Sequence, residues 1–289
     1  VFTESGQVVR TVGRAGRGPG EYAQAMLLLR WQGDSVLVAD AGAARISVLS
    51  PALQYVRSER MVGFLPEAWV ALQNGDLVIS AMVNERAALG YPLHRLAGIG
   101  PVRASFGVDQ AVLSPDKLHE FARLIASDGK AIWSVPMQGP YTLEQWDPSS
   151  KRKTKSIARE AAFFPPGQQR AGAITPTIKP RSTISGFYHE ESVLWVFVTV
   201  AQDDWAKGLS KNQTKGEGGS LRYKVEDQTK VYDTIVEAFD ATTGELLASR
   251  RFDEFMSAML SASQLATARL QNEDGSVYNK FFAFHLVGR

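Results

Sequence analysis

A two-part hairpin recurs along the chain, and this recurrence constrains the fold more than any single residue does. The first part is an apolar strand, a polar turn bearing Gly or Asp, and a second, stronger apolar strand. It occurs at LLLRWQGDSVLVAD (27–40), AWVALQNGDLVISA (68–81), ARLIASDGKAIWSV (122–135), STISGFYHEESVLWVFVTV (182–200) and ATARLQNEDGSVYNKFFAFHL (266–286). The pairs NG, GD and DG supply the positive-φ positions that tight hairpins require.

The second part follows each of the first four. It is a shorter strand, a small turn, and a strand of alternating polar and charged residues. RISVLSPALQYVRSER (45–60), PLHRLAGIGPVRASFG (92–107), TLEQWDPSSKRKTKSI (142–157) and TIVEAFDATTGELLASRR (234–251) fit it. VFTESGQVVRTVG (1–13) has the same rhythm as the last of these. Each unit thus reads as a four-stranded antiparallel sheet. Its inner strands are apolar because neighbouring sheets cover both faces, and its outer strands alternate because they meet water. Sheets of this kind arranged radially make a β-propeller. Five blades are countable. The amino-terminal outer strands are expected to pair with the carboxy-terminal inner strands and close the ring, which removes exposed sheet edges.

The expected organisation is one propeller domain over 1–289, interrupted by two long loops. Residues 158–181 are rich in Pro, Gly and Ala, and residues 202–231 form a polar, glycine-rich insertion between the second and third strands of the fourth unit. Loops of this length are uncommon in compact domains and are often functional or disordered. EFMSAMLSASQLATARL (254–270) is the one stretch that reads as helix, for one or two turns.

Composition narrows the function classes. The 32 basic and 30 acidic residues leave a net charge of +2, too balanced to imply nucleic-acid binding from bulk charge. There is no cysteine, which excludes disulfides, thiolate catalysis and Cys-based zinc sites. The longest apolar run, VLWVFVTVA (193–201), has the length of a strand and not the ~20 residues of a membrane helix. The chain starts at Val1, inside what reads as a strand, so upstream residues are expected.

The stretch GRAGRGPGEY (13–22) admits two readings. Glycine amides can form an anion nest, to which Arg14 and Arg17 would add contacts. A phosphate loop, however, needs a Lys-Ser/Thr pair and a following helix, and a dinucleotide fingerprint needs different glycine spacing. The other reading is a blade-to-blade connector in which Gly13, Gly16, Gly18 and Gly20 allow the bends and Pro19 fixes one of them.

With its flanking strands, this stretch resembles bacterial NHL-like six-bladed β-propeller proteins. In that family an outer strand like VFTESGQVVRTVG leads into a Gly-x-x-Gly-x-Gly-Pro-Gly-Glu-aromatic connection, and a segment like DSVLVADAGAARISVLS follows. The match runs from Val1 to about Ser50; the later units match only in rhythm. The resemblance implies six blades where five are countable. It also implies an exported protein, often a lipoprotein, of a family mostly without assigned activity.

Candidate chemistry is sparse. His94, His119, His189 and His285 stand apart from one another at no metal-binding spacing, and none pairs with a nearby Ser. Some propeller lactonases hold calcium in the central channel, and Glu67, Glu120, Glu190 and Asn272 lie near inner hairpins, but they form no convincing set of oxygens. No catalytic residue, metal ligand or cofactor is therefore assigned. Lys151, Arg152 and Lys153 open the basic run KRKTK, and Lys211, Lys215 and Arg222 make the insertion mildly basic. Such residues guard edge strands or meet an acidic partner or headgroup. Trp195 and Phe197 read as core. Trp205 and Tyr223, in the polar insertion, are candidate partner contacts.

The resulting expectation is a non-catalytic, exported scaffold lying in the periplasm or on the outer cell surface. It would be peripheral to a membrane and bind a membrane protein or complex, with respiratory and photosynthetic complexes among the conceivable hosts. The alternatives are a metal-dependent lactonase or hydrolase and a small-ligand or glycan sensor.

Overall fold

The structure is a computed structural model that describes all residues except 2, 4–6, 62–65, 114–121, 166–174, 213–221, 257, 262–264, 272–275 and 288–289. The chain packs as two compact units. The first is 1–117 with 129–132 and 146–152; the second is 118–128 with 133–145 and 153–289.

The first unit opens with β1 (Arg14–Ala15) and β2 (Glu21–Tyr22), a short parallel pair. No strand is described in residues 1–13; there Thr3 N–H donates to the Gln7 carbonyl and Val9 N–H to the Val1 carbonyl. Then come two four-stranded antiparallel sheets in simple consecutive order. One is β3 (Ala25–Arg30), β4 (Val36–Asp40), β5 (Arg45–Leu49) and β6 (Tyr55–Arg60). The other is β7 (Pro66–Ala71), β8 (Leu77–Ala81), β9 (Leu93–Leu96) and β10 (Val102–Phe106).

The second unit holds most of a third such sheet, β11 (Arg123–Ser127), β12 (Ile132–Pro136), β13 (Thr142–Asp147) and β14 (Arg152–Ala158). The fourth contains β15 (Thr183–Glu190) and β16 (Val193–Ala201). After a two-stranded ribbon, β17 (Leu209–Asn212) and β18 (Arg222–Val225), it is completed by β19 (Tyr232–Asp240) and β20 (Leu246–Phe252). The fifth has three described strands, β21 (Ala258–Ser261), β22 (Leu265–Gln271) and β23 (Val277–Phe282). All four expected second-part hairpins are present, at β5–β6, β9–β10, β13–β14 and β19–β20. This run of four-stranded antiparallel sheets is the blade topology of a β-propeller.

Burial follows strand position. The second strands β8 and β12 are buried throughout, and eight of the nine residues of β16 are buried. The third strands β5 and β19 are nearly as buried, whereas β6, β14 and β20 are mostly exposed. Each fully buried Val, Ile or Leu contributes roughly 1.5–3 kcal/mol, so the second and third strands supply most of the driving force. In the first unit Leu37, Ile46, Leu77, Ile79 and Leu96 form the core; in the second Trp133, Leu143, Ile184, Val196 and Phe239 do. The first strand β3 departs from the expectation of cover on both faces. Leu27 and Leu29 pack on the core, while Met26 and Leu28 are exposed.

The outer turns share a device. Asp147 accepts from the amide of Ser149 and the hydroxyl of Ser150, and Asp240 accepts from the amides of Thr242 and Thr243. An Asp ending the third strand thus satisfies the turn that starts the fourth.

One expectation is corrected. The stretch 254–270, which reads as one or two helical turns, holds no helix among its described residues: Ala258–Ser261 is strand β21, and Leu265–Gln271 is strand β22, where the sequence also reads the first strand of the fifth hairpin. Helix propensity in an Ala-, Met- and Gln-rich run amounts to tenths of a kcal/mol per residue. A ladder from Ala266–Phe282 to Gln271–Val277 pairs the backbone of β22 with β23 and overrides it.

Candidate functional site

The glycine-rich connector satisfies itself. Gly13, Gly16 and Gly20 take positive φ, so these bends need glycine. The chain turns back so that the Glu21 carboxylate accepts from the Gly18 amide at 2.8 Å and from Arg14 Nε at 2.8 Å. These bonds, the Gly18 amide first, hold the Glu21 carboxyl below the usual carboxylate range. Arg45, reaching from β5, donates to the carbonyls of Arg17, Gly18 and Glu21 at 2.9, 2.8 and 2.5 Å. The place an external anion would take beside the Gly18 amide is therefore held by the protein's own carboxylate. Pro19 follows within the same turn, and Arg17 contributes its carbonyl to Arg45.

The histidines and carboxylates are dispersed. His94 is fully buried, with Nδ1 2.9 Å from Ser105 Oγ and Nε2 3.1 Å from the Ala81 carbonyl. A carbonyl can only accept, so Nε2 carries the proton and Nδ1 accepts from Ser105. Burial pushes the ring's pKa down to about 4, and it stays neutral. Burial also lowers that of His189. His285 and Glu67 are exposed, Glu190 is half-buried, and His119, Glu120 and Asn272 lie outside the described residues. Among the described residues no group of three or more His, Asp or Glu side chains could hold a metal.

The basic candidates divide. Lys151 and Arg152 are exposed at the turn between β13 and β14. Lys153 is engaged: its amine sits 3.0 Å from Glu144, which also pairs with buried Arg123 at 2.6 Å. Lys211 and Arg222 lie on β17 and β18, where the register sets Lys211 opposite Tyr223 and Asn212 opposite Arg222. Lys215 lies outside the described residues.

Trp205, expected at a partner surface, is buried. It starts a 3-10 turn and packs with Ala201 and Val231, against which Leu209 and Val225 also lie. The physical reason is that the insertion leaves and re-enters the sheet at adjacent points, so its two ends close over a small core of their own. Tyr223 is half-buried on β18, beyond that core. Trp195 and Phe197 are core residues, packed with Phe284.

The first long loop borders a cleft, which the sequence did not single out. It has a volume of about 620 Å³. Part of its lining is apolar, with Phe163, Pro165 and Pro180 from the first loop and Val200 and Ala201 from the end of β16. Lys179, Arg181 and Arg251 also line it. Asp203, the third residue past Val200, lies 3.4 Å from the Lys179 amine. Arg251 is anchored from below by buried Asp233, whose single oxygen Oδ2 accepts from Nε at 2.8 Å and pairs with Nη2 at 2.6 Å.

A second buried ion pair lies in the same unit. Glu237 is fully buried on β19 and accepts from Arg159 at 2.9 Å, from the Tyr141 hydroxyl at 2.9 Å and from Ser249 at 2.9 Å. Burial and the neighbouring carboxylate hold the Tyr141 phenol well above its ordinary range, so it stays protonated and donates. Every oxygen of this carboxylate is occupied by the protein itself.

No protein-family model matches the chain, and no curated protein matches its sequence. Solved structures do match in shape. A candidate exported protein of Bacteroides fragilis aligns over 93% of this chain and 73% of its own, with a TM-score of 0.56 and 10% identity. Virginiamycin B lyase of Staphylococcus aureus aligns over 87% and 75%, at TM-score 0.43 and 11% identity. The WD40 domain of Neurospora crassa Pan2 aligns over 90% and 61%, at 0.37 and 11%. The last two likenesses are too loose to support an inference, and the first bears on fold alone. With the sheet order, it makes this an all-β protein of the β-propeller class.

Proposed function

We propose that this chain is an exported, non-catalytic binding module of the NHL-like propeller group. In this reading it is peripheral to a membrane and docks on a protein partner through the insertion between β16 and β19. The NHL-like assignment is supported by GRAGRGPGEY and its flanking strands, and export by that group's habit. Among the described residues no helix is long and apolar enough to cross a membrane.

One observation carries the docking role. The insertion has a packed base around Trp205 and an antiparallel ribbon of β17 and β18, and its sequence over 209–225 carries Lys211, Lys215, Arg222 and Lys224 against the single acid Glu217, with Glu226 next in the chain 3.8 Å from the Lys224 amine. An element anchored at its root presents a defined shape at low entropic cost on binding. Its cations suit a partner with an acidic surface. The buried indole belongs to the anchor, and the contact role falls to Tyr223 and the cations.

The test leaves the anchor intact. Residues 213–221 are exchanged for a short Gly-Ser turn, and separately Lys211, Arg222 and Lys224 are changed to Glu. Each variant is tagged and recovered from native membranes. The expected result is loss of the co-purifying membrane complex in both, with circular dichroism unchanged. Unaltered co-purification would overturn the reading.

A further inference from the structure

We infer that the cleft between Phe163, Pro180 and Val200 is a binding site for a small organic carboxylate, an anionic head on an apolar body. The inference is independent of the docking role of the ribbon, because it rests on different residues.

The first observation is the state of the cations. Arg181 lines the cleft and has no hydrogen-bond or ion-pair partner among the described residues. Arg251 uses Nε and Nη2 on Asp233 and on the Ala201 carbonyl, which leaves Nη1 without a partner among the described residues. Asp233 is buried and grips one edge of that guanidinium, so the group is held in place while part of its fork stays open. A fixed guanidinium with open N–H groups is the donor set that matches a planar carboxylate. Lys179 adds a third positive charge, and its pairing with Asp203 is weak, since that Asp is 96% exposed. Among the described residues no acidic side chain lines the cleft.

The second observation is the apolar part of the lining. Phe163, Pro165, Pro180, Val200 and Ala201 present rings and methyl groups. An inorganic anion would leave that part wet, whereas an aryl or alkyl body would cover it. The volume of about 620 Å³ lies within the ordinary range for small-molecule sites, about 300–1,000 Å³. Phosphate sites built from backbone amides use glycine-rich turns, and among the described residues no glycine lines this cleft. Charge, volume and lining chemistry thus converge on a monocarboxylate with an apolar tail.

The test uses isothermal titration calorimetry on the whole chain with benzoate, 4-phenylbutyrate and octanoate. The matching primary amides, phenyl phosphate and inorganic phosphate serve as controls. At least one carboxylate is expected to bind, with its amide at least tenfold weaker. Arg181→Gln is expected to weaken that carboxylate about tenfold or more. Arg251→Lys, which keeps the cation over Asp233, is expected to weaken it by a smaller factor. The inference is overturned if no carboxylate binds, if the amide binds as well as the acid, or if phenyl phosphate or inorganic phosphate binds more tightly than every carboxylate. It is also overturned if Arg181→Gln leaves affinity unchanged. Thermal unfolding of each variant separates lost binding from lost structure.

Discussion

The connector at 13–22 and the cleft beside Val200 both set arginines against polar backbone, yet they end in opposite states. In the connector, Arg14 is spent on Glu21 and Arg45 on three carbonyls, and the glycine amide is capped by the same Glu21. In the cleft, Arg251 is spent only in part, and Arg181 has no partner among the described residues. The difference separates the fold's own needs from what remains available to a ligand. A motif rich in Gly and Arg signals anion binding only when its donors are left open. Closed networks should therefore be costly to disturb, and open ones cheap in stability.

The most closed group is Glu237, and it should give the largest effect. Arg159→Leu removes the one cation from a fully buried carboxylate and leaves only the Tyr141 and Ser249 hydroxyls. Breaking a buried pair in this way costs about 3–4 kcal/mol. Urea unfolding should show it as a lowered midpoint with an unchanged slope. A cost below ~1 kcal/mol would mean that the hydroxyls alone hold the charge.

His94 gives the next effect, through pH. The unfolded ring titrates near pH 6.5, whereas burial holds the folded ring down to about 4. Between those values the unfolded chain takes up a proton that the native chain refuses. Stability is therefore complete above the upper value and falls as pH drops toward the lower one, by about 3 kcal/mol. His94→Gln should flatten that part of the profile, read as unfolding free energy against pH. An identical slope in both proteins would contradict the assignment.

A third change tests the connector itself. A Cβ on Gly16 would run into the Glu21 carboxylate, and the backbone there sits at positive φ. Gly16→Ala should cost about 2 kcal/mol. The double variant Gly16→Ala, Glu21→Ala should recover part of that loss, because the steric component disappears. Full additivity of the two changes would show that Glu21 does not fill the turn.

Much of the fold was legible because its signals are local. Alternation and Gly or Asp turns identify a hairpin without distant information, and the four complete sheets were read from them. The stretch 254–270 misled because its residues carry weak helix propensity, and the pairing that overrides it comes from 277–282. Trp205 misled for a similar reason. A polar neighbourhood suggests exposure, but its cover comes from Val231 at the far end of the insertion. The cleft was hidden most completely. Arg181 and Arg251 lie on segments far apart in the chain, and the run KPRS (179–182) looks like an ordinary loop end. The closure of the connector was half visible: the acid at position 21 stood in the motif, and only the turn's path shows it bonded to Gly18.

Arg181→Gln should have the smallest effect on stability, and this is the sharpest test of the comparison. Side chains away from buried networks change stability by no more than about 0.5 kcal/mol when replaced. Arg181 is exposed and gives the described fold no hydrogen bond or ion pair. Replacing it should leave the denaturation midpoint where it was, while replacing Arg45, also a surface-reaching arginine, should lower it. Arg45→Met strips three carbonyls of a charged donor, each such bond contributing on the order of 1–2 kcal/mol before non-additivity. The two substitutions remove the same charge from the same protein, so general electrostatics cancels between them. A lowered midpoint for Arg181→Gln would place that guanidinium among the closed groups and remove the cleft's principal donor. An unchanged midpoint for both would mean that the connector's bonds to Arg45 contribute nothing net, and the line between closed and open arginines would have to be redrawn from the wild-type contacts of Arg251.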